Sequence, residues 1–270
     1  MPFLSVRGKN IYYRLASPGQ EPTSSGSTIL FIHGLGSSNS FYAPIIPSLV
    51  AAGHKCVAFD THGSASSKYN GQYGGITGIV EDVKDLIRQL NLDPKRLIAV
   101  GHSMGAIVAS ELSLQLPLRG VVLIGAVNPN PGLADIFNAR IATVEKHGME
   151  AMADTIPAAA TGPKCTETQR AFIRTLLLSQ TPEGYNSLCR AISEAQEPEY
   201  ARSQSPLLVI AGSNDKTSPL EAARNILKSW GSGAETRLEV LDGVGHWHCV
   251  EAADEVGGLI KSFYNPIFAA

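Results

Sequence analysis

Short runs of Val, Ile and Leu alternate along this chain with longer stretches in which apolar residues recur at helical spacing. The runs predict strands at Phe3–Val6, Ile11–Leu15, Thr28–Ile32, Lys55–Phe59, Leu97–Val100, Gly120–Ile124, Leu207–Ala211 and Thr236–Leu241. Near-continuous apolar strands separated by helix-length crossovers read as a mostly parallel, eight-stranded α/β sheet flanked by helices, since strands of such a sheet are covered on both faces. The first two runs stand too close for a crossover and predict an antiparallel hairpin around Gly8, Lys9 and Asn10. Ser17–Ser27, SPGQEPTSSGS, has no ladder potential and predicts a mobile surface turn.

The alternation stops after Ile124 and resumes at Leu207. Helical patches fill the interval, such as Glu167–Ser179, where Phe172, Leu176 and Leu177 fall at helical spacing. The strands on either side belong to one series, so the segment reads as an insertion: a core of residues 1–125 and 204–270, with a helical cap at 126–203. A chain of 270 residues is long enough for one core carrying such an insertion.

Charge narrows the partners. Twenty-two Lys and Arg against 24 Asp and Glu give a formal net charge of −2, with no long basic run to meet nucleic acid or an anionic membrane. No stretch reaches the roughly 18 to 20 apolar residues of a membrane span, and MPFLSVRGKN has no apolar signal core. A soluble, cytoplasmic protein acting on small molecules is expected, as a monomer or homodimer. Cys56, Cys165, Cys189 and Cys249 are scattered without C-x-x-C spacing and read as reduced, structural residues.

Against that background four loops carry chemistry. Between the Leu97 strand and a helical stretch lies Gly101-His102-Ser103-Met104-Gly105, a G-x-S-x-G turn that exposes the Ser103 hydroxyl above the sheet and leaves the Met104 N–H free for a developing oxyanion. His102 inside this turn aims away from the hydroxyl. After TILFI comes His33-Gly34-Leu35-Gly36-Ser37-Ser38, whose glycines let the Leu35 N–H act as a second oxyanion donor. It is no Walker loop, because no Gly-Lys-Ser/Thr follows. A serine needs a base and a group that orients the base. Asp215 follows LLVIA in Gly212-Ser213-Asn214-Asp215, where turn formation is the competing reading. His246 follows RLEVL in Asp242-Gly243-Val244-Gly245-His246. The order Ser103, Asp215, His246 is the chain order of one serine hydrolase architecture.

HGLGSS, GHSMG, GSNDKTSP and GHWHCVE, in this order and at these strand ends, resemble the α/β-hydrolase superfamily over nearly the whole chain, and within it 3-oxoadipate enol-lactonase-like serine hydrolases. The cap stretches His147–Asp154 and Thr181–Tyr185 carry that second likeness. The resemblance implies a catalytic triad of Ser103, His246 and Asp215, with Glu251 at the start of the final helix and no cofactor or metal. Dehalogenase and epoxide hydrolase chemistry would need a carboxylate in place of Ser103.

Two departures from the family's pattern stand out, and the second bears on substrate. His62-Gly63-Ser64-Ala65 replaces the family's Arg-Gly-x-Gly turn, a change of packing below the site. In the cap, Phe137 and Pro157–Ala160 stand where those lactonases carry tryptophans and an arginine suited to a dicarboxylate, and Arg140, Arg170 and Arg174 read as helix-surface residues. A small, neutral carboxylic ester or lactone is therefore expected, contacted by Gly34, His102, Phe137 and Trp247. A hydrolase-fold receptor with slow turnover and a cofactor-free perhydrolase are the alternatives. Of the two histidines in GVGHWHCVE, His246 is the base, and His248 packs beside it or lines the pocket mouth. The pair makes no familiar zinc spacing with Cys249 or Glu251.

Overall fold

The computed structural model describes residues 2–19, 27–231 and 233–268. Its eight strands are β1 (Phe3–Val6), β2 (Lys9–Ala16), β3 (Thr28–Ile32), β4 (Lys55–Phe59), β5 (Leu97–His102), β6 (Gly120–Ile124), β7 (Leu207–Gly212) and β8 (Thr236–Leu241). They form one sheet in the order β1-β2-β4-β3-β5-β6-β7-β8. The β1–β2 and β2–β4 pairings are antiparallel and the others parallel. This is the expected α/β-hydrolase architecture.

The strand ends differ where pairing outlasts the apolar run. Lys9 and Asn10 pair with Val6 and Ser5, so the hairpin turns on Arg7 and Gly8 alone, at φ 50° and 80°. That is the two-residue turn whose twist suits antiparallel strands. β5 continues through Gly101 and His102, which pair with Leu123 and Ile124, and so delivers the nucleophile turn directly from the sheet. Residues 20–26 of the predicted Ser17–Ser27 turn lie outside the described residues.

The central strands are buried along nearly their whole length, each Val, Ile or Leu contributing about 1.5–3 kcal/mol by leaving water. The helices outside the insertion are α1 (Ile46–Ala51), α2 (Gly75–Gln89) and α3 (Met104–Gln115) before it, with α8 (Leu220–Ser229), α9 (His248–Glu251) and α10 (Ala253–Phe268) after it. α2 packs beside α3, and α1 against α10. The four cysteines are free and buried, and burial pushes the Cys56 and Cys189 thiols up to about 12.

Between β6 and β7 the chain forms the helical cap: α4 (Gly132–His147), α5 (Glu150–Ala159), α6 (Glu167–Leu178) and α7 (Pro182–Ser193). α4 packs on α7 and α5 on α6. α6 starts at a capping box, with the Thr166 hydroxyl accepting from the Gln169 N–H and the Gln169 side chain accepting from the Thr166 N–H. Its buried stripe is Ile173, Leu176 and Leu177, with Phe172 displaced to a half-buried flank. Among the described residues no helix is long and apolar enough to cross a membrane.

Candidate active site

Ser103 is the whole turn between β5 and α3, at φ 54° and ψ −116°. A non-glycine residue held there costs on the order of 1–3 kcal/mol. The neighbouring glycines make the turn buildable. A Cβ on Gly101 would stand 2.2 Å from the Gly105 carbonyl oxygen, and one on Gly105 would stand 2.0 Å from that of Ile32 in β3. The Ser103 N–H donates to the Ile124 carbonyl at 3.0 Å, anchoring the turn to the end of β6.

The His246 Nδ1–H donates to Asp215 Oδ2 at 2.8 Å, and its Nε2 lies 3.0 Å from Ser103 Oγ. Since the carboxylate only accepts, the ring proton sits on Nδ1, and Nε2 is left to accept from the serine hydroxyl. Asp215 Oδ1 accepts from the Thr217 and Ser218 N–H groups at 2.9 and 2.8 Å. The turn-forming role weighed against catalysis is therefore performed by the oxygen that His246 does not use. Burial pushes the Asp215 carboxyl up, but the charge and hydrogen bond of His246, His248 and the Ser218 N–H outweigh it and hold the pKa below the ordinary value.

The main chain of His246 is held as closely as its ring. Its N–H donates to the Ala160 carbonyl of the cap at 2.7 Å. Its carbonyl accepts from His102 Nε2 at 2.8 Å and His248 Nδ1 at 3.0 Å. Around it Glu251 accepts from the N–H groups of Gly162 (2.7 Å), Gly245 (3.0 Å) and Trp247 (2.9 Å). Glu251 closes the four-residue α9 rather than starting the final helix, which puts its carboxylate beside the loop that carries the base. Cap and loop touch backbone to backbone, for a Cβ on Gly162 would stand 1.9 Å from the Gly243 carbonyl oxygen.

In the loop after β3, His33 Nε2 accepts from the Thr61 N–H at 3.0 Å, so its Nδ1–H donates to the Gly34 carbonyl at 2.8 Å. That carbonyl and the Leu35 N–H share one trans peptide and point in opposite directions. Fixing one aims the other. The Met104 N–H opens α3 without a partner inside the helix, at its positive end.

A cavity of about 110 Å³ opens onto Ser103 and His246. Leu35, Phe137, Ile156, Ala159, Ala160 and Trp247 form its apolar part, and Thr217, Tyr185 and Arg140 join Ser103 and His246 in its polar part. Of the four residues expected to contact substrate, Phe137 and Trp247 line it. Gly34 and His102 do not. Gly34 packs under the nucleophile, where a Cβ would stand 2.8 Å from Ser103 Cβ, and His102 is buried with its ring stacked on Phe41 at 4.2 Å. The arginines also divide. Arg170 pairs with Glu167 and Arg174 with Asp154 at the cap surface, but Arg140 lines the cavity, its guanidinium 5.0 Å over the Phe137 ring. Helical spacing in α4 could not show this, because α7 packs on α4 and decides which side faces inward. His248 is fully buried rather than at the pocket mouth. The His62–Ala65 turn does stay away from the cavity, with Ala65 at φ 42° and the His62 ring accepting from the Asn70 N–H.

A serine on a strained strand-to-helix turn, facing a histidine oriented by a carboxylate from later strands, defines a class of fold and site together. Residues 29–258 match the Alpha/beta hydrolase family, and the chain belongs to it. It is similar to the protein named "Putative carbamate hydrolase RutD" of Variovorax paradoxus, 30% identical over 151 residues; that match spans 54% of each chain, about half the relative's length. It is 24% identical over 263 residues to the protein named "Putative non-heme bromoperoxidase BpoC" of Mycobacterium tuberculosis, covering 92% of this chain and 98% of the relative. Among solved structures, the enol-lactonase of Burkholderia xenovorans superposes with a TM-score of 0.85 at 24% identity, over 97% of this chain and 99% of that one.

Proposed function

We propose that the protein is a serine hydrolase of small carboxylic esters or lactones, working through an acyl-enzyme. The observation that carries this reading is the continuous relay from Ser103 through His246 to Asp215, at 3.0 and 2.8 Å, opening onto a small cavity of mixed apolar and polar lining. His246 takes the Ser103 proton as the hydroxyl attacks the carbonyl carbon, and the N–H groups of Leu35 and Met104 hold the oxyanion. Asp215 keeps the ring in the working tautomer and stabilises its charge. His246 then protonates the leaving alkoxide or enol, and afterwards activates the water that frees the acyl group. With a lactone the leaving oxygen stays tethered, giving one hydroxy acid.

The work divides along the chain. Core residues 1–125 and 204–270 supply the reacting groups. The cap, residues 126–203, supplies Phe137, Arg140, Ile156, Ala159, Ala160 and Tyr185 to the wall and so sets the acyl and leaving groups accepted. The name of the Variovorax paradoxus relative, "Putative carbamate hydrolase RutD", supports hydrolysis at a carbonyl carbon. The bromoperoxidase name of the Mycobacterium tuberculosis relative favours a second reading, in which peroxide replaces water at the acyl-enzyme and a peracid leaves.

A panel of neutral lactones, acidic lactones and aryl esters, run with the wild type and Ser103→Ala, tests the reading. The expected result is turnover by the wild type and a loss on the order of 10⁴- to 10⁶-fold in kcat on Ser103→Ala. Full activity of Ser103→Ala on every substrate would overturn the mechanism. Peroxide-dependent halogenation exceeding hydrolysis would put the second reading first.

A further inference from the structure

We infer that His102 and His248 are positioning residues for the base: they hold the main-chain carbonyl of His246 between them and so fix where its imidazole meets Ser103. The inference rests on the reading of His246 as that base. A carbonyl oxygen only accepts, so the proton must sit on Nε2 of His102 and on Nδ1 of His248, and the bonds of 2.8 and 3.0 Å occupy both lone pairs of the oxygen. With the His246 N–H on Ala160 and its Nδ1–H on Asp215, every polar group of the residue other than Nε2 is engaged within the protein. Nε2 alone is left for Ser103.

The two donors come from different places. His102 is the last residue of β5 and precedes Ser103 directly, so its bond couples the nucleophile turn to the base across 144 residues of chain. His248 is the first residue of α9, fitted against the end of β6, where a Cβ on Gly125 would stand 2.7 Å from its Cε1. Neither ring lines the cavity, so neither is placed to touch substrate. Each keeps its second nitrogen, Nδ1 of His102 and Nε2 of His248, buried without a hydrogen-bond partner among the described residues. An apolar side chain would avoid that desolvation cost, so the cost is explained by what the first nitrogen does.

Both rings are suited to stay neutral donors. Burial, reinforced by the neighbouring histidines, holds His102 well below the ordinary histidine value, and burial brings His248 down to about 4 against the opposing pull of Asp215. A positive charge on either would oppose the imidazolium that His246 becomes during turnover.

Asparagine places an N–H where Nδ1–H stands and glutamine where Nε2–H stands, whereas leucine places none. The test compares His248→Asn with His248→Leu and His102→Gln with His102→Leu, reading kcat and KM on p-nitrophenyl acetate, the low-field proton resonance of the His246–Asp215 bond without substrate, and thermal melting. Both leucine variants are expected to lose about 10- to 100-fold in kcat with KM within about threefold, and to shift or broaden the resonance. The asparagine and glutamine variants are expected to stay within about fivefold of wild type in kcat, with the resonance in place. Folded leucine variants with wild-type kcat and resonance would overturn the inference, and so would amide variants as impaired as the leucine ones. If a leucine variant does not fold, its amide counterpart decides on the same two readouts. A wild type that neither hydrolyses p-nitrophenyl acetate nor is labelled at Ser103 by a fluorophosphonate defeats the hydrolase reading instead, and the resonance still reports on the clamp.

Discussion

Nucleophile and base are fixed in opposite ways. The backbone of Ser103 is shaped by one short motif, two glycines between a strand end and a helix start, seated against Ile32 of β3 and bonded to Ile124 of β6. His246 is placed by residues from everywhere else: Ala160 in the cap, His102 at the end of β5, Asp215 after β7, and Glu251 across the following turn. A locally determined group travels with a short motif, whereas a group determined at long range depends on the whole fold closing correctly.

The sharpest break on the base side is Asp215→Asn. It keeps the shape but offers His246 Nδ1 an amide in place of the carboxylate, and a fall of about 10⁴-fold in kcat with near wild-type melting is expected. Gly105→Ala and Gly162→Ala then oppose the two sides directly. The first drives a Cβ to 2.0 Å from the Ile32 carbonyl in the sheet and is expected to abolish soluble folding. The second does the same to Gly243 from the cap, at 1.9 Å, and is expected to leave a folded protein with kcat down by about 10- to 100-fold, since a displacement of about 1 Å at the base suffices for that. Circular dichroism beside kcat separates the outcomes. Equal effects of the two substitutions would erase the contrast.

A smaller effect concerns the cavity wall. Arg140→Met is expected to lower kcat/KM about tenfold for esters whose acyl group carries a carboxylate, and to change neutral esters by less than about threefold. Matched pairs of monoesters and simple alkyl esters measure this.

The smallest effect is graded with pH. Burial lowers the pKa of His33, His62, His102 and His248, bringing His62 and His248 to about 4. Between about pH 6.5 and 4 the unfolded chain therefore binds protons that the native chain refuses, and stability falls as pH falls. Asp215, with its lowered pKa, adds a loss only below the range of an ordinary aspartate. Melting temperature should decline from pH 7 to pH 5, and His248→Asn should remove one proton from the linkage, reducing the slope by about 1.4 kcal/mol per pH unit.

These contrasts also explain what the sequence discloses. Strands read well because β3, β5, β6 and β7 each hold a run of four or more apolar residues, and G-x-S-x-G reads well because its glycines and serine are adjacent in the chain. The loops bearing Asp215 and His246 could be found because they follow strands in a fixed order. The side of α4 that bears Arg140 was hidden, since it depends on α7, some 40 residues on. So were the burial of His102 beneath the nucleophile, the double hydrogen bond to the His246 carbonyl and the three-way grip of Glu251. None has a periodicity or spacing of its own, because each partner lies far away along the chain or on a turn whose path follows from tertiary packing.

The strap at Ala160 and Gly162 sets a limit on how such a protein can be altered. Caps of this kind look like exchangeable parts, yet here the segment that lines the cavity beside Ser103 also carries the acceptor for the His246 N–H and the N–H that Glu251 holds. A graft replacing residues 126–203 wholesale would import a new specificity and discard a support of the base in the same step. A transplant that keeps its activity must retain this strap and join the foreign helices on either side of it.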